Sequence, residues 1–245
     1  MNNQKSFRVK ILIIFLVFMI LYTSSLCCLI FVANKGLNYK TASYSEVHSQ
    51  SLPTVIIDAG HGGEDGGAIG VNGSYEKDIN LSISKKLNSL LNACGIKTVM
   101  TRTEDILLYD KNSDYEGRKK ALDQAARLKI SESYENAIFV SIHMNSFPQN
   151  KYKGLQVYYS SNDRNSSNLA EEIQALTKTY IMNENQRKIK ASDGKIFLLD
   201  KMNIPSVLIE CGFLSNPEEC LKLNDENYQN ELASVICCAI CKYLS

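Results

Sequence analysis

The chain has 245 residues, 44% of them hydrophobic and 22% charged, which is enough to bury one substantial core and excludes a disordered chain. Its 27 basic and 26 acidic residues are intermixed, for a formal charge of +1, so the charge balance points to no polyanion partner and gives nucleic-acid binding no support.

Lys5, Arg8 and Lys10 make residues 1–10 a short basic tail. Residues 11–33 then carry no charge at all, a run long enough to cross a bilayer as a tilted helix. Positive charge on its N-terminal flank keeps that end in the cytoplasm and places the remainder of the chain on the extracytoplasmic face of the membrane. The run exceeds the apolar core of a secretory signal, which favours an uncleaved anchor; cleavage and release is the alternative. Residues 34–52 are polar and aperiodic, the pattern of a linker, and His48 within them reads as incidental. A folded domain is expected over 53–245.

That domain opens on Val55-Ile-Ile-Asp58, a buried strand that delivers His61 into a glycine-rich loop. The loop matches neither phosphate-cradling glycine motif, G-x-x-x-x-G-K-[ST] or G-x-G-x-x-G opening into a helix. From Glu76 to Cys94, apolar residues at 79, 83, 87 and 90 recur at helical spacing, and Gly95 stops the run. Glu76 lies on the buried stripe of this helix, so its carboxylate needs an inward partner. Lys97 to Thr101 reads as a strand and Tyr115 to Ile130 as a helix. Ala137 to His143 is near-continuously apolar, as in a strand covered on both faces. Further strands are expected at Leu155–Tyr159, Ile196–Leu199 and Ser206–Cys211, and helices at about 166–183 and 227–243. Alternating strands and helices predict an α/β three-layer sandwich: a mostly parallel sheet of about six strands flanked by helices and preceded by the transmembrane helix.

Eight cysteines lie at 27, 28, 94, 211, 220, 237, 238 and 241, without the paired C-x2-C spacing of a structural zinc site. Those at 237, 238 and 241 fall in an apolar helical run and read as buried thiols, with no disulfide framework.

In open α/β sheets the ligand site lies beyond the carboxyl ends of the strands. His61, His143 and Glu210 all follow apolar strands, and Glu76 opens the helix after the first. Two imidazoles and one carboxylate, with water in a fourth place, form a catalytic zinc set and leave the other carboxylate for acid-base work. The same four residues are also compatible with an unrelated α/β enzyme.

The order Asp58-Ala-Gly-His-Gly-Gly63, Glu76, Thr101-Arg102, Ser141-Ile-His-Met-Asn145 and Glu210-Cys-Gly-Phe-Leu-Ser-Asn216 resembles the zinc-dependent N-acetylmuramoyl-L-alanine amidases of the amidase-3 type. Within that family the chain is most similar to the membrane-anchored enzymes of spore-forming bacteria, which prepare the spore cortex for muramic-δ-lactam formation. The resemblance implies one Zn²⁺ held by His61, Glu76 and His143, with Glu210 catalytic. It implies peptidoglycan as substrate, with Arg187, Lys190 and Asn145 as contacts, and an accessory lipoprotein as a possible activator. Asp58, Arg102 and Arg118 read as supporting groups. The family usually has proline at Ala59 and alanine at Met144, and the larger Met144 is expected to narrow the groove. Two rivals remain: a catalytically silent peptidoglycan-binding or regulatory protein, and a different extracytoplasmic zinc hydrolase.

The uncharged run makes a direct prediction. The full chain should fractionate with membranes, and a chain lacking residues 1–40 should be soluble and folded. Recovery of the intact chain in a salt-washed soluble fraction would defeat the anchor.

Overall fold

Thr54, Val55 and two isoleucines come after Pro53, and this β-branched run forms β1 (Thr54–Ala59), buried along its whole length. The computed structural model describes residues 52–110 and 117–245. The basic tail, the apolar run 11–33 and nearly all of the linker lie outside the described residues, and no described helix is long and apolar enough to cross a membrane.

After β1 come α1 (Glu76–Ala93), β2 (Thr98–Met100), α2 (Lys119–Glu132), β3 (Ala137–Asn145), β4 (Gln156–Tyr159) and α3 (Asn165–Tyr180). The chain continues through β5 (Lys190–Ala191), α4 (Phe197–Lys201), β6 (Ser206–Phe213), α5 (Pro217–Leu223) and α6 (Glu226–Leu244). One six-stranded sheet has the order β2-β1-β3-β6-β4-β5. β1 runs parallel to β2 and β3, and β3 parallel to β6. β4 is antiparallel to β6 and parallel to β5. The expected three-layer sandwich with a mostly parallel sheet is therefore present.

One expected strand needs correcting, and two short elements were not anticipated. Ile196–Leu199 is not a strand. Ile196 instead precedes α4, and Asp200 accepts hydrogen bonds from the Ser192 hydroxyl at 2.5 Å and the Ile196 N–H at 3.1 Å, closing a helical turn. Four apolar residues carry too little periodicity to separate a short strand from a helical turn. The sixth strand is Lys190–Ala191, too short to leave a pattern, paired with Tyr158 and Tyr159. Helix α5 also escaped the periodicity. Its signal is a cap: the Asn216 side chain accepts from the Glu219 N–H, and Pro217 opens the first turn.

Alternation along the strands divides the core between the two faces of the sheet. Val55, Ile57, Val140, Ile142, Val207 and Ile209 meet Ile83, Leu87, Ile173, Leu232 and Ile236 from α1, α3 and α6. Ile56 and Phe139 point the other way, to Leu128, Leu198 and Met202 around α2 and α4.

Asp58 sits at the carboxyl end of β1 with 1% of its surface exposed. A charge so placed needs a full set of partners. It accepts hydrogen bonds from the Thr101 hydroxyl at 2.7 Å, the Ser141 hydroxyl at 2.6 Å and the Arg127 guanidinium at 2.5 Å. Burial opposes its ionisation, but these donors outweigh burial and hold its pKa below the ordinary value. Arg127 also pairs with Asp123 one turn earlier on α2, at 2.7 Å.

Removing one partner of such a buried pair leaves the other charge uncompensated. Arg127→Ala should therefore lower the unfolding free energy by about 3–5 kcal/mol in urea titrations. A loss under about 1 kcal/mol, the value of an exposed ion pair, would contradict this account.

Candidate metal centre

The first imidazole is set by backbone. His61 has φ +62, a left-handed conformation uncommon for a residue with a side chain. The surroundings fix it there. Arg102 donates to the carbonyls of Ala59 at 2.8 Å and Gly60 at 3.0 Å, while Arg127 donates to those of Ala59 at 2.8 Å and His61 at 2.7 Å. Three successive carbonyls of the loop are thus gripped by two guanidiniums. Glycine is required at two points around it: a Cβ on Gly60 would collide with the His143 imidazole, and one on Gly67 would meet both Glu76 and His61.

Glu76 begins α1 and is buried, with the inward partners that its position on the apolar stripe demanded. Its Oε1 lies 2.9 Å from His143 Nδ1 and 3.3 Å from His61 Nε2, and accepts the Met144 N–H at 3.0 Å. Its Oε2 accepts the Ala68 N–H at 2.8 Å. Burial works against this carboxylate, yet the two imidazoles hold its pKa well below the usual range. For His61, burial disfavours protonation, but Glu76 and Asp65 outweigh it and raise its pKa. Asp65 bonds His61 Nδ1 at 2.9 Å, which turns Nε2 towards Glu76. The imidazole rings of His61 and His143 stand edge to face, 5.0 Å apart.

The donor atoms of His61, Glu76 and His143 all lie within 4.8 Å of one another. Two imidazoles and a carboxylate on one rim suit a divalent cation that takes nitrogen and oxygen ligands, zinc above all. The partial exposure of the two imidazoles leaves one side of the centre open to a further ligand.

Glu210 is the Cα partner of His143 across β3 and β6. Its Oε2 is buried and makes no hydrogen bond among the described residues. Burial, with Glu76 adding to it, pushes its carboxyl up to about 7 despite the opposing pull of His143, His61 and Arg187. An orphaned acid beside a ligand cluster is poised to exchange protons near neutrality. Cys211 points into the core on the opposite face, as alternation requires.

The suggested substrate contacts are placed unequally. Arg187 lies nearest, donating to Gln156 Oε1 at 2.9 Å and stacking on Phe213 with 4.5 Å to the ring centre; Gln156 is itself the cross-strand neighbour of Glu210. Asn145 closes β3 beyond a bulge, its carbonyl accepting the Leu214 N–H at 2.8 Å. Lys190 is exposed on β5, with β4 between it and Glu210. Met144 does not narrow the groove: its side chain is buried in the core, and its contribution to the centre is its backbone N–H.

Sequence reasoning missed Asp65, Arg127 and Glu219. Asp65, four residues after His61 in the same loop, was the most accessible of these. Glu219 ties the rim together by accepting the Phe213 N–H at 2.8 Å and the Gly154 N–H at 2.7 Å.

A raised carboxyl pKa means that the fold prefers the neutral acid, so ionisation costs stability as pH climbs from the unfolded value towards 7. In chelator-containing buffer, Glu210→Gln should be more stable than the parent at pH 8, by about 1–3 kcal/mol, and equally stable at pH 4. Equal stability at both pH values would show that Glu210 is not held as a buried acid.

The profile of the Amidase_3 family, N-acetylmuramoyl-L-alanine amidase, matches residues 55–242. The germination-specific N-acetylmuramoyl-L-alanine amidase of Bacillus subtilis is 35% identical over 191 residues, covering 78% of this chain and 79% of the relative. The structure of the CwlD amidase from Clostridioides difficile in complex with the GerS lipoprotein is 42% identical and superposes with a TM-score of 0.74, over 78% of this chain and 98% of that one. The catalytic domain of CwlV from Bacillus (Paenibacillus) polymyxa var. colistinus is 31% identical with a TM-score of 0.65, over 78% and 98%. With His61, Glu76, His143 and Glu210 gathered on one rim and its sequence matched from residue 55 to residue 242, the chain belongs to the N-acetylmuramoyl-L-alanine amidase family.

Proposed function

We propose that this amidase works through one Zn²⁺ held by His61 Nε2, His143 Nδ1 and a Glu76 carboxylate oxygen, with Glu210 as its acid-base group. The substrate is peptidoglycan, and the bond cleaved joins N-acetylmuramic acid to L-alanine of the stem peptide. The observation that carries the assignment of Glu210 is its buried, unbonded Oε2 in register with His143.

A zinc ion held by His61, Glu76 and His143 would polarise the scissile carbonyl and lower the pKa of a bound water to about 7. Glu210 then takes a proton from the attacking water and delivers it to the departing alanine nitrogen, so that the amide C–N bond breaks as a neutral amine leaves. Asp65 holds His61 in the tautomer that frees Nε2. Arg187, fixed by Gln156 and Phe213, offers a positive charge to the stem peptide beside the reacting bond, and Asn145 and Lys190 extend that surface on either side. No serine or cysteine nucleophile is required. The intact set of four groups argues against a silent binding protein, and the match along the whole domain argues against another zinc hydrolase.

Similarity to a germination-specific amidase and to an amidase bound to a lipoprotein supports a place in spore-cortex maturation, ahead of muramic-δ-lactam formation, with an accessory lipoprotein as partner. The uncharged run 11–33 supports attachment to the membrane with the catalytic domain outside.

Metal binding and turnover should separate by residue. His61→Ala, Glu76→Ala and His143→Ala should each lose zinc, because three protein ligands leave none to spare. Glu210→Gln should keep its zinc while release of stem peptides with a free L-alanine amino terminus falls by about 10² to 10⁴. Both are read by metal analysis and product analysis on purified peptidoglycan, with the lipoprotein present. Wild-type turnover in Glu210→Gln, or loss of its zinc, would reverse the assignment.

A further inference from the structure

A second cluster of metal-ligating side chains lies away from the catalytic rim. Cys94 ends α1, and Cys237 and Cys241 lie one turn apart on α6. Their three sulfurs are within 4.8 Å of one another, although most of the domain separates Cys94 from the other two in sequence. Packing accounts for Cys237, which belongs to the core, but Cys94 is exposed and Cys241 half-buried. An apolar interface has no need of a solvent-facing thiol at its edge.

The electrostatics of the spot favour a cation. Cys94 occupies the carboxyl end of α1, where the helix presents its negative pole, and the last turn of α1 carries no basic residue to offset it. Lys242, next to Cys241, is engaged elsewhere with Glu172 at 2.7 Å. Three free thiolates would repel one another at such a pole. Burial and mutual crowding accordingly push the thiols of Cys237 and Cys241 upward, so they stay protonated until something replaces the protons.

We propose that Cys94, Cys237 and Cys241 form a second, structural metal site that takes monovalent copper between α1 and α6. Soft thiolates select Cu(I), whereas a closed structural zinc site wants four ligands. Cys238 does not supply the fourth, because a residue adjacent to Cys237 on a helix faces another direction, and it is exposed. Each ligating thiol releases its proton to solvent as its sulfur takes the cation, with no change of oxidation state. The bound ion pins the end of α1 to α6, and α1 is the helix that presents Glu76 at its other end.

The test is titration of the reduced full chain with Cu(I) against a competing Cu(I) chelator, in zinc-containing buffer. One equivalent should bind with a thiolate-to-metal charge-transfer band, and three thiols should become protected from alkylation. Cys94→Ser and Cys241→Ser should each lose the chelator-resistant equivalent and the band, while Cys238→Ser keeps both. Amidase turnover should be unchanged in all three variants. Cys237→Ser places a hydroxyl in the core, so the alkylation count on the wild type stands in for it. Unaltered copper binding in Cys94→Ser, full alkylation in the presence of Cu(I), or a Cys94–Cys241 disulfide in the chain as isolated would each overturn the proposal.

Discussion

The centre depends on one buried carboxylate. Asp58 lies near the carboxyl end of β1 inside the sheet, and its partners come from three other places: Thr101 after β2, Ser141 on β3 and Arg127 on α2. Because Arg127 reaches past Asp58 to the carbonyls of Ala59 and His61, the interaction that neutralises the buried charge also shapes the loop that presents the first imidazole. Arg102, just beyond β2, completes the grip, with further bonds to the carbonyls of Lys77 and Glu104. A left-handed residue is tolerated where its surroundings over-determine it, and here two arginines do so.

The two glutamates of the rim show how environment divides labour between identical groups. Glu76 is surrounded by imidazoles and by two backbone N–H donors, all of which favour its anion. Glu210, on β6, is buried without a donor to Oε2 among the described residues, and burial pushes its carboxyl up to about 7. The first environment favours an anion that could hold a cation, and the second an acid whose proton can be exchanged near neutrality. The stability forgone at Glu210 is the kind of local cost that functional sites carry.

Parallel topology makes this possible. β1, β3 and β6 lie side by side and point the same way, so their carboxyl ends deliver His61, His143 and Glu210 to one rim, while α1 returns its first residue to the same edge. The antiparallel β4 then begins at that rim rather than ending there. It brings Gln156 opposite Glu210, and through Gln156 the Arg187 side chain.

The sequence by itself determined the α/β class and the long strands and helices, and it singled out His61, Glu76, His143 and Glu210 as candidate groups. Their signals are local and physical: continuous apolar runs for β1, β3 and β6, a helical stripe that carries Glu76 inward, and glycines around His61. It also carried the family resemblance, because five motifs stand in fixed order. Short elements left no such trace. Two residues of β5 and a four-residue run at α4 hold too little periodicity to identify, and α5 is marked by a cap rather than a stripe. Only the tertiary structure decided the pairing at long range. Asp58 with Arg127, Arg187 with Gln156, and Cys94 with Cys237 and Cys241 are separated by tens to more than a hundred positions. Periodicity reports which face a residue occupies; it does not report which residue of another element waits there, and that is settled by the order in which strands join the sheet.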